Sequence, residues 1–89
     1  MEVNLSPRFK RAYKKLPKSA QNDFDIKIAL FTGNPRNPTL KTHKLKGNLQ
    51  SCLSFYLRDG YRVLFEFENT HEINLLDIGP HDKYYSWKR

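Results

Sequence analysis

The run Leu53-Ser54-Phe55-Tyr56-Leu57-Arg58-Asp59-Gly60-Tyr61-Arg62-Val63-Leu64-Phe65-Glu66-Phe67 decides the fold of this chain. On both sides of Asp59-Gly60 the apolar residues recur at every second position, the period of a strand with one buried face, and Asp-Gly between two such runs signals a hairpin turn. Loop length then selects which side chains share a face. A two-residue Asp59-Gly60 loop pairs Leu57 with Arg62, whereas a three-residue loop ending at Gly60 pairs Tyr56 with Arg62. Only the second gathers Leu53, Phe55, Leu57, Tyr61, Val63, Phe65 and Phe67 on one side and leaves Ser54, Tyr56, Arg62 and Glu66 on the other. The three-residue register is therefore expected.

Downstream, Asn69-Thr70 reads as a turn and residues 72 to 78 as a third strand, giving an antiparallel meander with a more polar, open face. Upstream, Val3 and Leu5 alternate with polar neighbours in a short first strand. Ser6-Pro7 then supplies an N-cap and a first-turn proline. Phe9, Ala12, Tyr13 and Leu16 recur at helical spacing, with Lys10, Arg11, Lys14 and Lys15 around them, and Pro17 ends this helix. A second helix is expected from Lys18 or Ser19 to Thr32, with Ala20, Phe24, Ile28 and Phe31 as its stripe and Gly33 as its C-terminal cap. Residues 36 to 50 hold too few apolar positions for a helix or strand and read as a basic surface connection. The expected fold is α+β over a single domain, residues 1–89. It comprises an N-terminal strand, a two-helix hairpin packed on the apolar face, and a three-stranded antiparallel meander forming a small curved sheet.

With 89 residues the chain has room for one modest core. Sixteen Lys and Arg against nine Asp and Glu leave a net charge of +7, which favours an anionic partner. The excess is uneven. Residues 1 to 22 hold six basic residues against Glu2 alone, and residues 36 to 62 hold six against Asp59 alone. Cys52 is the single cysteine, so an intrachain disulfide and a thiolate metal knuckle are both excluded. No His, Asp and Glu cluster has metal-ligand spacing, and His81-Asp82 alone is a weak signal. Neither a metal nor a cofactor is expected. Met1-Glu2-Val3-Asn4-Leu5 lacks the basic start and apolar core of a signal peptide, and no apolar run approaches bilayer length. A cytoplasmic protein without a membrane span is expected.

The hairpin and the ending Gly79-Pro80-His81-Asp82-Lys83-Tyr84-Tyr85 could carry an arginine and a histidine into one cleft. An arginine can stabilise a pentavalent phosphate, and a histidine can move protons near neutral pH. On a strongly basic domain this pairing suggests a small metal-free ribonuclease.

In order and spacing, Leu16-Pro17, Lys44-Leu45-Lys46-Gly47, Asp59-Gly60-Tyr61-Arg62-Val63-Leu64-Phe65 and Ile78-Gly79-Pro80-His81-Asp82-Lys83-Tyr84-Tyr85 resemble the RelE/ParE superfamily of bacterial toxins. Within it, the RelE- and YafQ-like messenger-RNA interferases of type II toxin-antitoxin systems are the nearest pattern. The resemblance implies a toxin that cuts messenger RNA in the decoding site of the 70S ribosome, inhibits translation and is held inactive by a cognate antitoxin. Arg62 falls where RelE-type members place the arginine that stabilises the transition-state phosphate. His81 matches a catalytic histidine of YafQ-like members, suited to protonating the leaving 5' oxygen, and His43 matches another, suited to deprotonating the 2' hydroxyl. Tyr85 matches a C-terminal aromatic near the scissile bond. Lys44, Lys46, Tyr56 and Arg58 are the implied RNA-binding residues. The implied chemistry is attack of the 2' oxygen on its own 3' phosphate, leaving a 2',3'-cyclic phosphate and a 5' hydroxyl.

The pattern is a hybrid. Tyr56 stands where YafQ-like members have histidine and RelE-like members lysine, and Gly60 replaces an acid, with Asp59 only adjacent. Plainer roles stay open: Arg62 as a surface partner of Glu66, His81 as an exposed loop residue, and Tyr85 as an aromatic that closes the core. Two other functions stay open as well, a ParE-like poison of DNA gyrase and a non-catalytic module that binds nucleic acid or an antitoxin. His71 reads as a turn residue.

Overall fold

The computed structural model describes residues 1–45 and 51–87, apart from the side chains of Tyr84 and Tyr85. β3 (Leu53–Tyr56) and β4 (Arg62–Asn69) form the hairpin in the three-residue register, with Tyr56 opposite Arg62 and Phe55 opposite Val63. Leu57 N donates to Tyr61 O at 2.8 Å to close the loop. Inside it Asp59 (φ 59°) and Gly60 (φ 79°) are both left-handed. Asp tolerates that region through its short polar side chain, and Gly enters it without a Cβ clash.

β4 continues through Thr70 and His71 into β5 (Glu72–Gly79), and Asn69 Oδ1 accepts from His71 N at 2.9 Å across this turn. β1 (Glu2–Leu5) lies parallel to β5, with Val3 opposite Ile73. A short β2 (His43–Lys44) adds to the outer edge of β3, so the sheet has five strands in the order β1-β5-β4-β3-β2. The stretch expected to be only a basic connection therefore contributes a strand. It also contributes a 3-10 turn at Pro38–Leu40 and two buried leucines, Leu40 and Leu45. Two ladder residues are too few to leave a period in the sequence, and β2 exists because β3 offers it an open edge. Lys46 lies outside the described residues.

α1 (Pro7–Lys14) begins as its sequence dictates, with Ser6 Oγ accepting from Phe9 N at 3.0 Å and donating to Leu76 O at 3.0 Å. The cap thus also ties the helix to β5. α2 (Lys18–Gly33) includes Gly33 and stops at Asn34, whose backbone is extended (φ −156°). The expected glycine cap is not used. Pro35 disfavours helical geometry at the residue before it, so Asn34 leaves the helix without a left-handed turn.

The two helices cover one face of the sheet. Phe9, Phe24, Phe31, Leu40, Phe55, Val63, Phe65, Ile73, Leu75 and Ile78 form the main core, with Leu16, Ile28 and Leu53 packed on its margin. The other face is not the open polar surface expected. Leu45, Cys52, Leu64 and Trp87 make a second small cluster there, and Ser54 and Arg62 are buried beside it. Its lid is α3 (Lys83–Trp87), a five-residue helix too short to be legible from periodicity. Among the described residues, no helix is long and apolar enough to cross a membrane.

Asp23 on α2 secures the hairpin tip, where its Oδ2 accepts from Arg58 N at 2.7 Å while Lys27 Nζ lies 3.1 Å away. Burial alone would raise the Asp23 pKa, but the Arg58 amide and the Lys27 ammonium hold it below the ordinary carboxylate value. A carboxyl depressed in the folded state adds stability that is present above its unfolded pKa and is lost as pH falls through the folded one. Thermal melts of the wild type and Asp23→Asn should therefore differ at neutral pH, and the gap should narrow as pH drops through and below the ordinary carboxylate range. A gap independent of pH would contradict this linkage.

Candidate active site

Four of the expected site residues converge on the face covered by α3. Tyr56 and Arg62 are cross-strand partners, so their side chains rise from the same face of the sheet. The Arg62 guanidinium carbon sits 4.8 Å from the Tyr56 ring centroid, a cation-π contact that holds the planar fork over the ring. His43 on β2, opposite Ser54, stacks on Tyr56 with centroids 5.3 Å apart and planes 26° from parallel. Arg62 Nη2 lies 2.7 Å from His81 Nδ1. His43, Tyr56, Arg62 and His81 thus form one continuous row, drawn from β2, β3, β4 and the turn after β5.

Hydrogen-bond chemistry sets the two imidazoles in opposite states. A guanidinium can only donate, so His81 Nδ1 is the acceptor and the ring proton lies on Nε2. A carbonyl can only accept, so His43 Nδ1 carries the proton that points at Lys41 O, 3.4 Å away, and its Nε2 keeps a lone pair. In the tautomers these contacts favour, His43 presents Nε2 to the cleft without a hydrogen, and Arg62 occupies Nδ1 of His81.

Arg62 is buried, only 7% exposed, with its guanidinium over the Tyr56 ring. Its partner across β4 and β5 is Gly79, which has no side chain to crowd the guanidinium. His81 is exposed, and a Cβ placed on Gly60 would stand 3.7 Å from the His81 Cβ, so the hairpin tip borders the same cleft. Arg58 and Lys44 are exposed around the row, and Arg58 pairs loosely with Asp59 at 3.6 Å. Tyr85 belongs to α3, but its side chain lies outside the described residues. Burial raises the Cys52 pKa, which argues against thiolate chemistry in the second cluster. Among the described residues, no three His, Cys, Asp or Glu side chains gather as a cation cage would require.

Sequence reasoning missed Asp77. This carboxylate is fully buried beside the row and accepts from Trp87 Nε1 at 2.8 Å. Its signal was a lone acid inside the apolar stretch Leu75-Leu76-Asp77-Ile78, where a buried charge demands partners.

A family model for the ParE-like toxin of type II bacterial toxin-antitoxin systems matches residues 3–88. This chain belongs to that family. The toxin's fold is shared with solved structures at low sequence identity. YafQ from Escherichia coli superposes with a TM-score of 0.79 at 14% identity, covering 94% of this chain and 97% of YafQ. The isolated RelE toxin of E. coli gives 0.71 at 20% identity, covering 97% of this chain and 92% of RelE. A chain of the YoeB-YefM toxin-antitoxin complex from Staphylococcus aureus gives 0.74 at 19% identity, with 91% and 97% covered. No curated protein sequence matches the toxin. Identities this low report a common fold, and function must be argued from the site.

Proposed function

We propose that this toxin is a metal-independent endoribonuclease that cuts messenger RNA on the ribosome and is restrained by an antitoxin. The observation that carries the reading is the Arg62–His81 contact at 2.7 Å, a phosphate-binding group and a proton-transfer group joined in one cleft. Arg62 offers a planar pair of donors to the non-bridging oxygens of the scissile phosphate, whose charge grows in the pentavalent transition state. Tyr56 holds the guanidinium flat and leaves its outer edge to the substrate. His43 Nε2 takes the proton of the 2' hydroxyl as its oxygen attacks the phosphorus. When Arg62 turns its donors to the phosphate, His81 Nδ1 is released, and the ring takes up a second proton from solvent water, to which His43 later returns the proton of the 2' hydroxyl. The imidazolium then protonates the departing 5' oxygen through Nε2. The RNA is left with a 2',3'-cyclic phosphate and a 5' hydroxyl. Lys44 and Arg58 supply backbone contacts that carry no sequence information, so site selection falls to the ribosome.

The test is induction of wild type and His81→Ala in bacteria, with mapping of messenger-RNA 5' ends and a growth curve. Cuts inside translated frames, bearing 5' hydroxyls and absent from His81→Ala, are the expected result. Growth arrest with intact messenger RNA, together with inhibition of gyrase supercoiling by the purified toxin, would overturn the ribonuclease reading in favour of a gyrase poison. For the base, the acidic limb of the kcat/KM pH profile is expected to disappear in His43→Ala.

A further inference from the structure

Asp77 is 0% exposed yet meets four donors. Its Oδ2 faces Arg8 Nε at 3.1 Å and Trp87 Nε1 at 2.8 Å, and its Oδ1 faces Lys83 Nζ at 2.9 Å and Ile78 N at 2.9 Å. A carboxylate removed from water persists only with such compensation. The backbone is shaped to place it there. Along β4 and β5, Leu64 pairs with Asp77 but Phe65 pairs with Leu75, so Leu76 is an extra residue on β5. Strict alternation from Leu75, which faces the main core, would send Asp77 into the same phenylalanine cluster. The bulge sends it instead to the face of its partner Leu64, against Trp87.

The partners of Asp77 lie on both sides of the catalytic turn. Only Pro80, His81 and Asp82 separate β5 from α3. At one end Gly79 is held opposite Arg62, and at the other Lys83 is held by Asp77. Lys83 also donates from its Nζ to Ile78 O at 3.3 Å and from its backbone N to Pro80 O at 2.9 Å. A Cβ on Gly79 would fall on Lys83 Cδ, so the missing side chain is what lets the lysine stem cross the strand end. Trp87 fixes the far end of α3 to the same carboxylate.

We propose that Asp77 is a positioning residue for the nuclease site: through Lys83 and Trp87 it locks α3 and thereby sets His81 against Arg62. Asp77 touches no substrate. Its neutral counterpart Asn brings no charge and turns an amide N–H toward one pair of the donors that Asp77 accepts from, so it holds Lys83, already 30% exposed, far less firmly, and one of the two anchors of the turn is weakened. Arg8, 60% exposed on α1, shares the carboxylate but leaves α3 in place when removed.

For its kinetic arm the inference rests on the ribonuclease reading, whereas its spectroscopic arm does not. The experiment compares full-length wild type, Asp77→Asn, Lys83→Met and Arg8→Met. Nitrogen-15 NMR of the His81 ring reads the Arg62 hydrogen bond, and turnover is measured on bacterial ribosomes programmed with a defined messenger RNA. In Asp77→Asn and Lys83→Met the His81 Nδ1 signal should lose its hydrogen-bonded acceptor position. Displacement of a proton-transfer group on this scale should lower kcat by about tenfold to a hundredfold with little change in KM. Arg8→Met should keep both the signal and the turnover. If Asp77→Asn does not fold, Lys83→Met, which leaves the carboxylate with its other partners, decides the matter. A lowered melting temperature with wild-type His81 signal and kcat would make Asp77 a purely structural residue and overturn the proposal. A wild type that cuts no RNA would refute the ribonuclease reading, and the NMR comparison would still decide whether Asp77 sets His81.

Discussion

Arg62→Ala should slow single-turnover RNA cleavage by about a thousandfold, the usual consequence of removing a donor aimed at charge that develops in the transition state. A thousandfold corresponds to about 4 kcal/mol of barrier, which is reasonable for a guanidinium held by Tyr56 on one side and His81 on the other. Arg62→Lys should rescue little of it. An ammonium is a compact point charge without the planar fork, and it reproduces neither the stacking on Tyr56 nor two parallel bonds to a phosphate. The same variants should relieve growth arrest on induction, while their urea midpoints, measured alongside, separate lost chemistry from lost folding. If both variants cleave at wild-type rate, the phosphate-stabilising role of Arg62 is wrong, and the proposed nuclease site fails with it.

The largest effect on stability is expected at Phe31. This side chain is fully buried on α2, with ring centroids 5.5 Å from Phe55, 5.0 Å from Phe65 and 6.2 Å from Phe67. It is the point at which the helical hairpin keys into the sheet. Truncation to alanine removes the apolar contact and leaves a hole that rigid neighbours close only in part, at a cost of about 3–5 kcal/mol. Domains of this kind have only about 5–15 kcal/mol of net stability, so Phe31→Ala should lose a large share of it, read as a lower urea midpoint at constant m. Phe31→Leu keeps most of the volume and should cost clearly less. A Phe31→Ala midpoint close to wild type would mean that the aromatic cluster is not the keystone of the core.

Much of the fold was legible because local chemistry and hydrophobic period agreed. Ser6-Pro7 caps α1, the stripe Ala20, Phe24, Ile28 and Phe31 faces inward from α2, and the three-residue loop places Tyr56 opposite Arg62. The elements that escaped are those whose existence depends on a neighbour. β2 is two residues long and borrows its hydrogen bonds from β3, and α3 is five residues pinned through Trp87 to a buried acid. Gly33 carried a cap signal that Pro35 overrode from two positions downstream.

The candidate site divides along the same line. Residue chemistry nominated Arg62 and His81, because few side chains can stabilise a phosphate or move a proton at neutral pH; His43 and Tyr56 came in through the resemblance to RelE- and YafQ-like toxins, and the hairpin register followed from the alternation around Asp59-Gly60. What the tertiary structure alone decided is how these groups meet. The stacking of His43 on Tyr56, the opposite tautomers of the two imidazoles, and the burial of Asp77 beneath α3 depend on side chains separated by many residues. The bulge at Leu76 turns Asp77 away from the phenylalanine core through a one-residue slip in pairing with β4. Strand period is a local property that a sequence carries, whereas a slip in register exists only between two strands, so no pattern along one of them records it.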